Sequence, residues 1–294
     1  MLAAYRTVFQ KITQVYPPVH ELKFKIIPAP EGLKQEVECF RIAEYTGEEG
    51  LAIKVSLNGL PGIVFQHHHG QSPVENIITP SRRNPDVPTL YLYGQITERS
   101  VMEHKKGPYT MTQVILKPHA LRTLFGINAT ALTNRLVELD EFSAEDLNDQ
   151  LLEAKSERDR VVLLTRFLLT RLEQAKTRDR LVEEGLRLIH QYAGSITVRF
   201  LLERLHISER QFEKRFSQTV GVPPQFYIRV KRFNEAIRLL KTAQFERLTE
   251  VAYALNFYDQ SHFIRDVKEF SGISPKSLSR KADDFLDRGG YSYL

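Results

Sequence analysis

The chain has 294 residues, 42% of them hydrophobic and 26% charged, with a formal net charge of +5 and a single cysteine. That length suits two domains with buried cores, and the balance of apolar and charged residues excludes a disordered or membrane-embedded chain. Cys39 cannot form an intrachain disulfide, and no apolar run approaches the roughly 20 residues that span a bilayer, so a cytoplasmic protein with no membrane contact is expected.

Taken in order, the chain opens with a predicted helix over about Ala3–Val15, whose Arg6, Gln10 and Lys11 break the apolar core a secretory signal would need. From about Val19 to Lys117 the segments LKFKII, VECFRIAEY, LAIKVSL, GIVFQ, TLYLYGQI and YTMTQVIL are rich in β-branched and aromatic residues, and several alternate apolar with polar. Gly and Pro separate them as turns, which predicts a β-rich sandwich or barrel-like domain over residues 1–140. Cys39 is expected to be a buried strand residue. His67 and His69 would share one face of an extended strand, and such a pair can bind a metal. A metal-dependent enzyme with its site there and a helical assembly domain is therefore the alternative to the function argued below.

After Pro118 the period changes to that of helices, first in HALRTLFG and then beyond Ser143, where Ser143 is the expected N-cap and Glu145 and Asp146 are first-turn acids. Val161, Val162, Leu164, Leu168, Leu169 and Leu172 mark an apolar face that is either core or a dimer seam. A further helix over Arg180–Tyr192 should stop at Gly194. Residues 141–194 thus read as a helical connector.

The charge is concentrated beyond this point. Residues 195–282 hold sixteen Lys or Arg against nine Asp or Glu, a surplus of seven, which leaves the rest of the chain two negative. A basic partner surface belongs to this C-terminal third, and a short tail, 283–294, follows it. The same third repeats itself: FEKRFSQTVGVPP (Phe212–Pro224) lies over FIRDVKEFSGISP (Phe263–Pro275) at an offset of 51. Upstream the offset drops to 50, placing His206 over Asn256, so the second turn carries one extra residue. Within Leu248–Pro275 a short amphipathic helix, a turn at Asn256 and a helix with a polar face form the plan of a helix-turn-helix. Between the copies, Phe226–Lys241 has apolar residues at Phe226, Val230, Phe233, Ile237 and Leu240, the spacing of one continuous helix. Such a helix could hold two recognition helices in successive major-groove turns.

These residues resemble the AraC/XylS-type bacterial transcription regulators. The resemblance covers roughly Ser195–Leu278 and rests on ISERQFEKRF, on VGVPPQFYIRVKRFNEAIRLL, and on the A-x-x-x-[G/N]-F-x-D-Q-S-H-F-x-R-D signature ending in G-x-S-P. LFGI at Leu124–Ile127 is also similar to the sensory domain of a subset of these regulators. The fold so implied is α+β: a β-rich N-terminal domain, a helical connector and an all-α domain of two helix-turn-helix units.

The resemblance implies a first recognition helix that presents Arg210, Glu213 and Lys214 to bases, with Phe212 and Phe216 in the core. A second would present Gln260, Ser261, Ile264 and Arg265, with Phe257, Phe263 and Val267 inward. Arg and Lys can read guanine, Gln adenine, Glu cytosine N4, and Ile a thymine methyl. Arg215, Arg232 and Lys268 are the expected phosphate contacts, with Arg232 equally readable as a structural partner of a helix carboxylate. The implied function is a sequence-specific, DNA-binding transcription regulator, expected to be an activator. Its partner is double-stranded DNA, with room for a small-molecule effector, RNA polymerase and a second copy. No Ser-His-Asp, Walker or GxGxxG pattern calls for an enzyme or a cofactor. The family carries glycine at the turns where His206 and Asn256 stand, and His tolerates a left-handed backbone less well than Asn. The first turn is therefore the one expected to be strained or differently shaped.

Overall fold

The structure, a computed structural model, describes residues 22–144, 146–192, 195–241, 245, 248–279 and 291–293. The helix expected over Ala3–Val15, the Gly194 stop and Glu145 lie outside them.

Among the described residues, eleven strands form two antiparallel sheets. They are β1 (Leu22–Pro28), β2 (Val37–Tyr45), β3 (Ala52–Val55), β4 (Gly62–His67), β5 (Val74–Ile78), β6 (Arg83–Asn84), β7 (Leu90–Tyr93), β8 (Ser100–His104), β9 (Tyr109–Leu116), β10 (Leu136–Glu138) and β11 (Tyr291–Tyr293). One sheet runs β1-β2-β9-β4-β7-β10 and the other β11-β3-β8-β5-β6. The end of the chain, read as a tail, instead supplies an edge strand, Tyr291 pairing with Val55.

The six-stranded sheet is apolar on both faces. Val64, Tyr91, Met102 and Met111 meet between the sheets, while Phe40, Ile63, Phe65, Leu92 and Val114 point the other way into a cluster with helical residues. That is why the central strand β4 opens on a continuous apolar run, Ile63, Val64 and Phe65, and why β9 is buried over nearly its whole length, Thr112 and Gln113 included.

The helices are α1 (Ala120–Phe125), α2 (Leu147–Glu153), α3 (Glu157–Glu173), α4 (Arg180–Gln191), α5 (Val198–Leu205), α6 (Glu209–Val220), α7 (Pro224–Lys241), α8 (Leu248–Ala254), α9 (Gln260–Ser271) and α10 (Pro275–Ser279). The expected Ser143 cap is displaced: Ser143 has φ +56° and closes a 3-10 turn, and Asp146 is the N-cap of α2. Ser156 caps α3 instead, its oxygen accepting from Asp159 N at 3.2 Å.

The connector divides between two cores. Leu147, Leu151, Leu164 and Leu168 of α2 and α3 cover the six-stranded sheet, whereas Val182, Leu186 and Ile189 of α4 join Leu201, Phe212 and Phe216.

Candidate nucleic-acid interface

Each helix-turn-helix is built around a left-handed residue ahead of its second helix, and a side chain caps that helix in the second unit. In the first unit α5 ends at His206 (φ 50°, ψ 48°), and α6 starts after Ser208. In the second, Asn256 takes φ 53°, and Asp259 caps α9 by accepting from His262 N at 2.7 Å. The turn of the second unit is one residue longer, as the change of offset requires. His206 adopts the same left-handed conformation as Asn256, so the first turn is strained but not reshaped.

Inside the units, Phe212, Phe216, Phe257, Phe263 and Val267 are buried. Arg210, Glu213 and Lys214 on α6, and Gln260, Ser261 and Arg265 on α9, are exposed, while Ile264 is half-buried against the second core. The base-reading candidates therefore lie on the N-terminal halves of two solvent-facing helix surfaces, where a helix seated in the major groove offers its side chains.

The three expected phosphate contacts fare differently. Lys268 is exposed. Arg215 donates to both Asp179 oxygens at 2.6 and 2.9 Å. Burial pushes the Asp179 carboxyl up, but the Arg215 bonds and the Val182 N–H outweigh it and hold it below its ordinary value. Since Asp179 is also the N-cap of α4, this pair ties the connector to the first recognition helix. Arg232 lies over the Phe257 ring at 5.1 Å, an aromatic contact inside the second unit where a helix carboxylate was the structural partner expected.

Helix α7 belongs to both units. Tyr227 and Ile228 enter the first core; Val230, Phe233, Ala236 and Ile237 enter the second. At 1.5 Å per residue its 18 residues make a rod of about 27 Å. Arg229, which the sequence reading passed over, fixes the second recognition helix to it: the guanidinium bonds Asp266 and Glu269, each at 2.8 Å, and covers the Phe270 ring at 5.0 Å. Asp266, in the F-x-R-D signature, is thus a positioning residue. Tyr258, 90% exposed beside the Asp259 cap, is a second polar group that the sequence reading missed. A lone exposed aromatic has no periodicity to announce it.

Residues 201–281 match a family described as a helix-turn-helix domain, and residues 25–138 match a domain of unknown function (DUF6597). The HTH-type transcriptional activator RhaS of Escherichia coli O139:H28 is 27% identical over 95 residues, and that of Pectobacterium carotovorum 28% over 93. These alignments cover 32% of this chain and about a third of each relative, 34% and 33%.

The C-terminal domain is of the AraC/XylS type.

Among solved structures, ToxT from Vibrio cholerae aligns over 88% of this chain and 98% of its own at 12% identity and a TM-score of 0.45. The C-terminal domain of the response regulator yesN from Fusobacterium nucleatum aligns over 34% and 99% at 27% identity and a TM-score of 0.33.

The AraC/XylS-type domain is held by the β domain at three points. Thr133 donates to Gly221 O at 2.6 Å at the end of α6, where Gly221 has φ +99° and a Cβ would lie 3.1 Å from Ala129 O. Asn58 O accepts from Lys231 Nζ at 3.1 Å and Asn234 Nδ2 at 3.2 Å on α7, and burial lowers the Lys231 pKa to about 8. Next to Asn58, Leu57 is 1% exposed inside the core of the second unit. Arg99 packs on Gly272 at the end of α9 and reaches Lys268 O. Helices α6 and α9 are thus gripped at their C-terminal ends, leaving the N-terminal ends clear.

The three gripping loops are also bonded to one another. Gln95 Nε2 donates to Gly59 O at 3.1 Å, Asn134 N to Gln95 O at 2.8 Å, and Thr97 N to Asn134 Oδ1 at 2.8 Å. Together they border a cavity of about 90 Å³ between the sheets, whose lining includes Ser56, Asn58, Tyr91, Tyr93, Gln113 and Asn134.

The histidine cluster has a different setting. His67 Nε2 is 3.0 Å from an Arg160 guanidinium nitrogen, and burial first, then Arg160, pushes its pKa down. A guanidinium in that place opposes a metal cation. Among the described residues no group of three His, Cys, Asp or Glu is placed to hold a metal, and no helix is long and apolar enough to cross a membrane. Cys39 is half-buried on β2, and burial raises its thiol pKa.

Proposed function

We propose that the protein is a cytoplasmic, sequence-specific transcription regulator that reads double-stranded DNA with α6 and α9 and receives its signal in the β domain. The observation that carries this reading is the pair of exposed polar helix surfaces held on one rod, α7, within the part of the chain where the positive charge is concentrated. Arg210, Glu213 and Lys214 would contact one segment of bases, and Gln260, Ser261, Ile264 and Arg265 the next. Lys268 would meet phosphate, with Tyr258 as a further donor at the opposite, N-terminal end of α9, while Arg215 and Arg232 would reach phosphate only by sharing or leaving their partners inside the chain.

The likeness to RhaS, a transcriptional activator by its name, favours activation, which would add a contact with RNA polymerase. The cavity between the sheets is the reading's effector site. Its lining is mainly apolar, aliphatic and aromatic, with a few hydrogen-bonding side chains among them, suited to a small, largely apolar molecule with a polar group. An occupant there would bear on the loops that grip both reading helices, and the resulting coupling is reciprocal: DNA would change effector affinity by the same factor.

Fluorescence anisotropy on DNA from the protein's own promoter region should show binding that weakens with salt yet survives unrelated competitor DNA. Arg265→Ala should lower affinity about 10- to 100-fold, a loss of about 1–3 kcal/mol, and relax the preference at one base pair. Equal binding to all sequences would overturn the proposal.

A further inference from the structure

A crevice of about 550 Å³ separates the β domain from the connector helix α4. Glu38 on β2, and Lys117 and His119 in the turn between β9 and α1, stand on its β-domain wall; Arg180, Glu183, Glu184 and Arg187 of α4, with Arg178 before them, stand on the other. None of these residues lines the cavity between the sheets.

On the α4 wall most charges are paired with one another. Arg178 Nε lies 2.8 Å from a Glu183 oxygen, and an Arg187 guanidinium nitrogen 2.6 Å from a Glu184 oxygen. Lys117, Arg180 and Glu38 are left over: their side chains make no ion pair or hydrogen bond among the described residues. Lys117 is half-buried, and the other two are exposed.

His119, 8% exposed, is a fourth group without its full set of partners. One ring nitrogen donates to the Gln35 backbone oxygen, while Nε2 meets no hydrogen-bond partner. Burial above all keeps the ring neutral, with a pKa of about 4, so Nε2 is an acceptor. A buried acceptor left unmet costs stability, and what would meet it is a donor brought in through the crevice.

Two unpaired cations, one unpaired carboxylate and one unmet acceptor suit neither a simple anion, which would face Glu38, nor a simple cation, which would face Lys117 and Arg180. We propose that the crevice binds a small zwitterion whose ammonium carries N–H groups, an amino acid, with its carboxylate between Lys117 and Arg180 and its ammonium toward His119 Nε2 and Glu38. Each of these contacts has an ionised partner, which makes it stronger than a neutral hydrogen bond. Since Lys117 and Arg180 stand on opposite walls, the ligand would fasten α4 to the β domain. The site does not depend on whether the chain reads DNA, and it is tested without DNA.

Thermal unfolding of the full chain should be followed with each of the common L-amino acids at about 10 mM. At least one should raise the midpoint by about 3 °C, the shift expected for a Kd near 1 mM, whereas acetate and methylammonium should not. In titration calorimetry with that amino acid, Lys117→Gln, Glu38→Gln and Arg180→Gln should each weaken binding about tenfold. Its N,N,N-trimethyl derivative keeps both charges but has no N–H for His119, and should also bind about tenfold more weakly. If Lys117→Gln fails to fold, the two exposed substitutions still decide the matter. No shift with any amino acid, an equal shift with acetate or methylammonium, or wild-type affinity in all the variants would overturn the proposal; the last outcome would place the ligand elsewhere on the chain.

Discussion

At the scale of single residues, buried polar groups make the fold sensitive to pH and to the loss of one partner. His104 is buried and stacked on Tyr109 at 4.7 Å, and burial lowers its pKa from 6.5 to about 4. Between those values the unfolded chain binds a proton that the folded chain does not, so stability falls as pH drops from about 6.5 and levels off below about 4. Urea midpoints measured across that interval should decline, with about 3 kcal/mol at most assignable to His104, and the slope should flatten in His104→Gln. Asp266 gives a second case. With Arg229→Met its buried carboxylate loses its strongest partner, which should cost about 3 kcal/mol and lower the thermal midpoint by several degrees. A variant with unchanged stability would show that the pair does not hold α9 to α7.

At the scale of elements, the left-handed turns show which rules of the sequence are strict. A non-glycine residue at such a C-cap costs about 1–2 kcal/mol relative to an unstrained position, yet both units place one there, at His206 and Asn256. The chain bears the strain because the flanking helices are anchored by buried residues on each side, Leu201 and Phe212 in the first unit and Val251 and Phe263 in the second. His206→Gly should therefore stabilise the protein by about 1 kcal/mol in denaturant titrations, while Asn256→Gly should gain less, Asn being the better tolerated. Elements were legible in proportion to their periodicity. The long strands β2 and β9 and the rod α7 announce themselves, because each repeats one spacing over eight or more residues. The strands β5, β6, β8 and β10 do not, since two to five residues with mixed polarity carry no period. Ser143 misled for a related reason: its side chain suits an N-cap, but its place at the end of a 3-10 turn is settled by the residues before it.

At the scale of the whole molecule, the β domain acts as a bracket across both reading units. Leu57 is its apolar anchor in the core of the second unit, and Asn58 its polar one on α7. Leu57→Ala would leave a cavity between the domains and should cost about 2–4 kcal/mol. Hydrogen exchange should then quicken in α7, α8 and α9 while β4 and β9 stay protected. Equal protection everywhere would mean that the bracket adds nothing to the stability of the second unit. The connector belongs to this scale as well. Its first half is a layer of the β domain and its second half a wall of the first reading unit, with the Asp179–Arg215 pair at the junction.

By itself the sequence determined the class of the two domains, the repeat, the rod between its copies and the candidate reading residues. All of these depend on spacings within a few turns, which the chain states directly. Only the tertiary structure decided which of the apolar positions on α3 face outward, that Arg215 meets Asp179, and that Leu57, Arg99 and Thr133 grip the helix-turn-helix domain. Lys231 and Asn58 are 173 residues apart, and no local pattern records which distant backbone oxygen a buried ammonium will find. That choice is made by packing, when several cores close together and each buried polar group must have a partner.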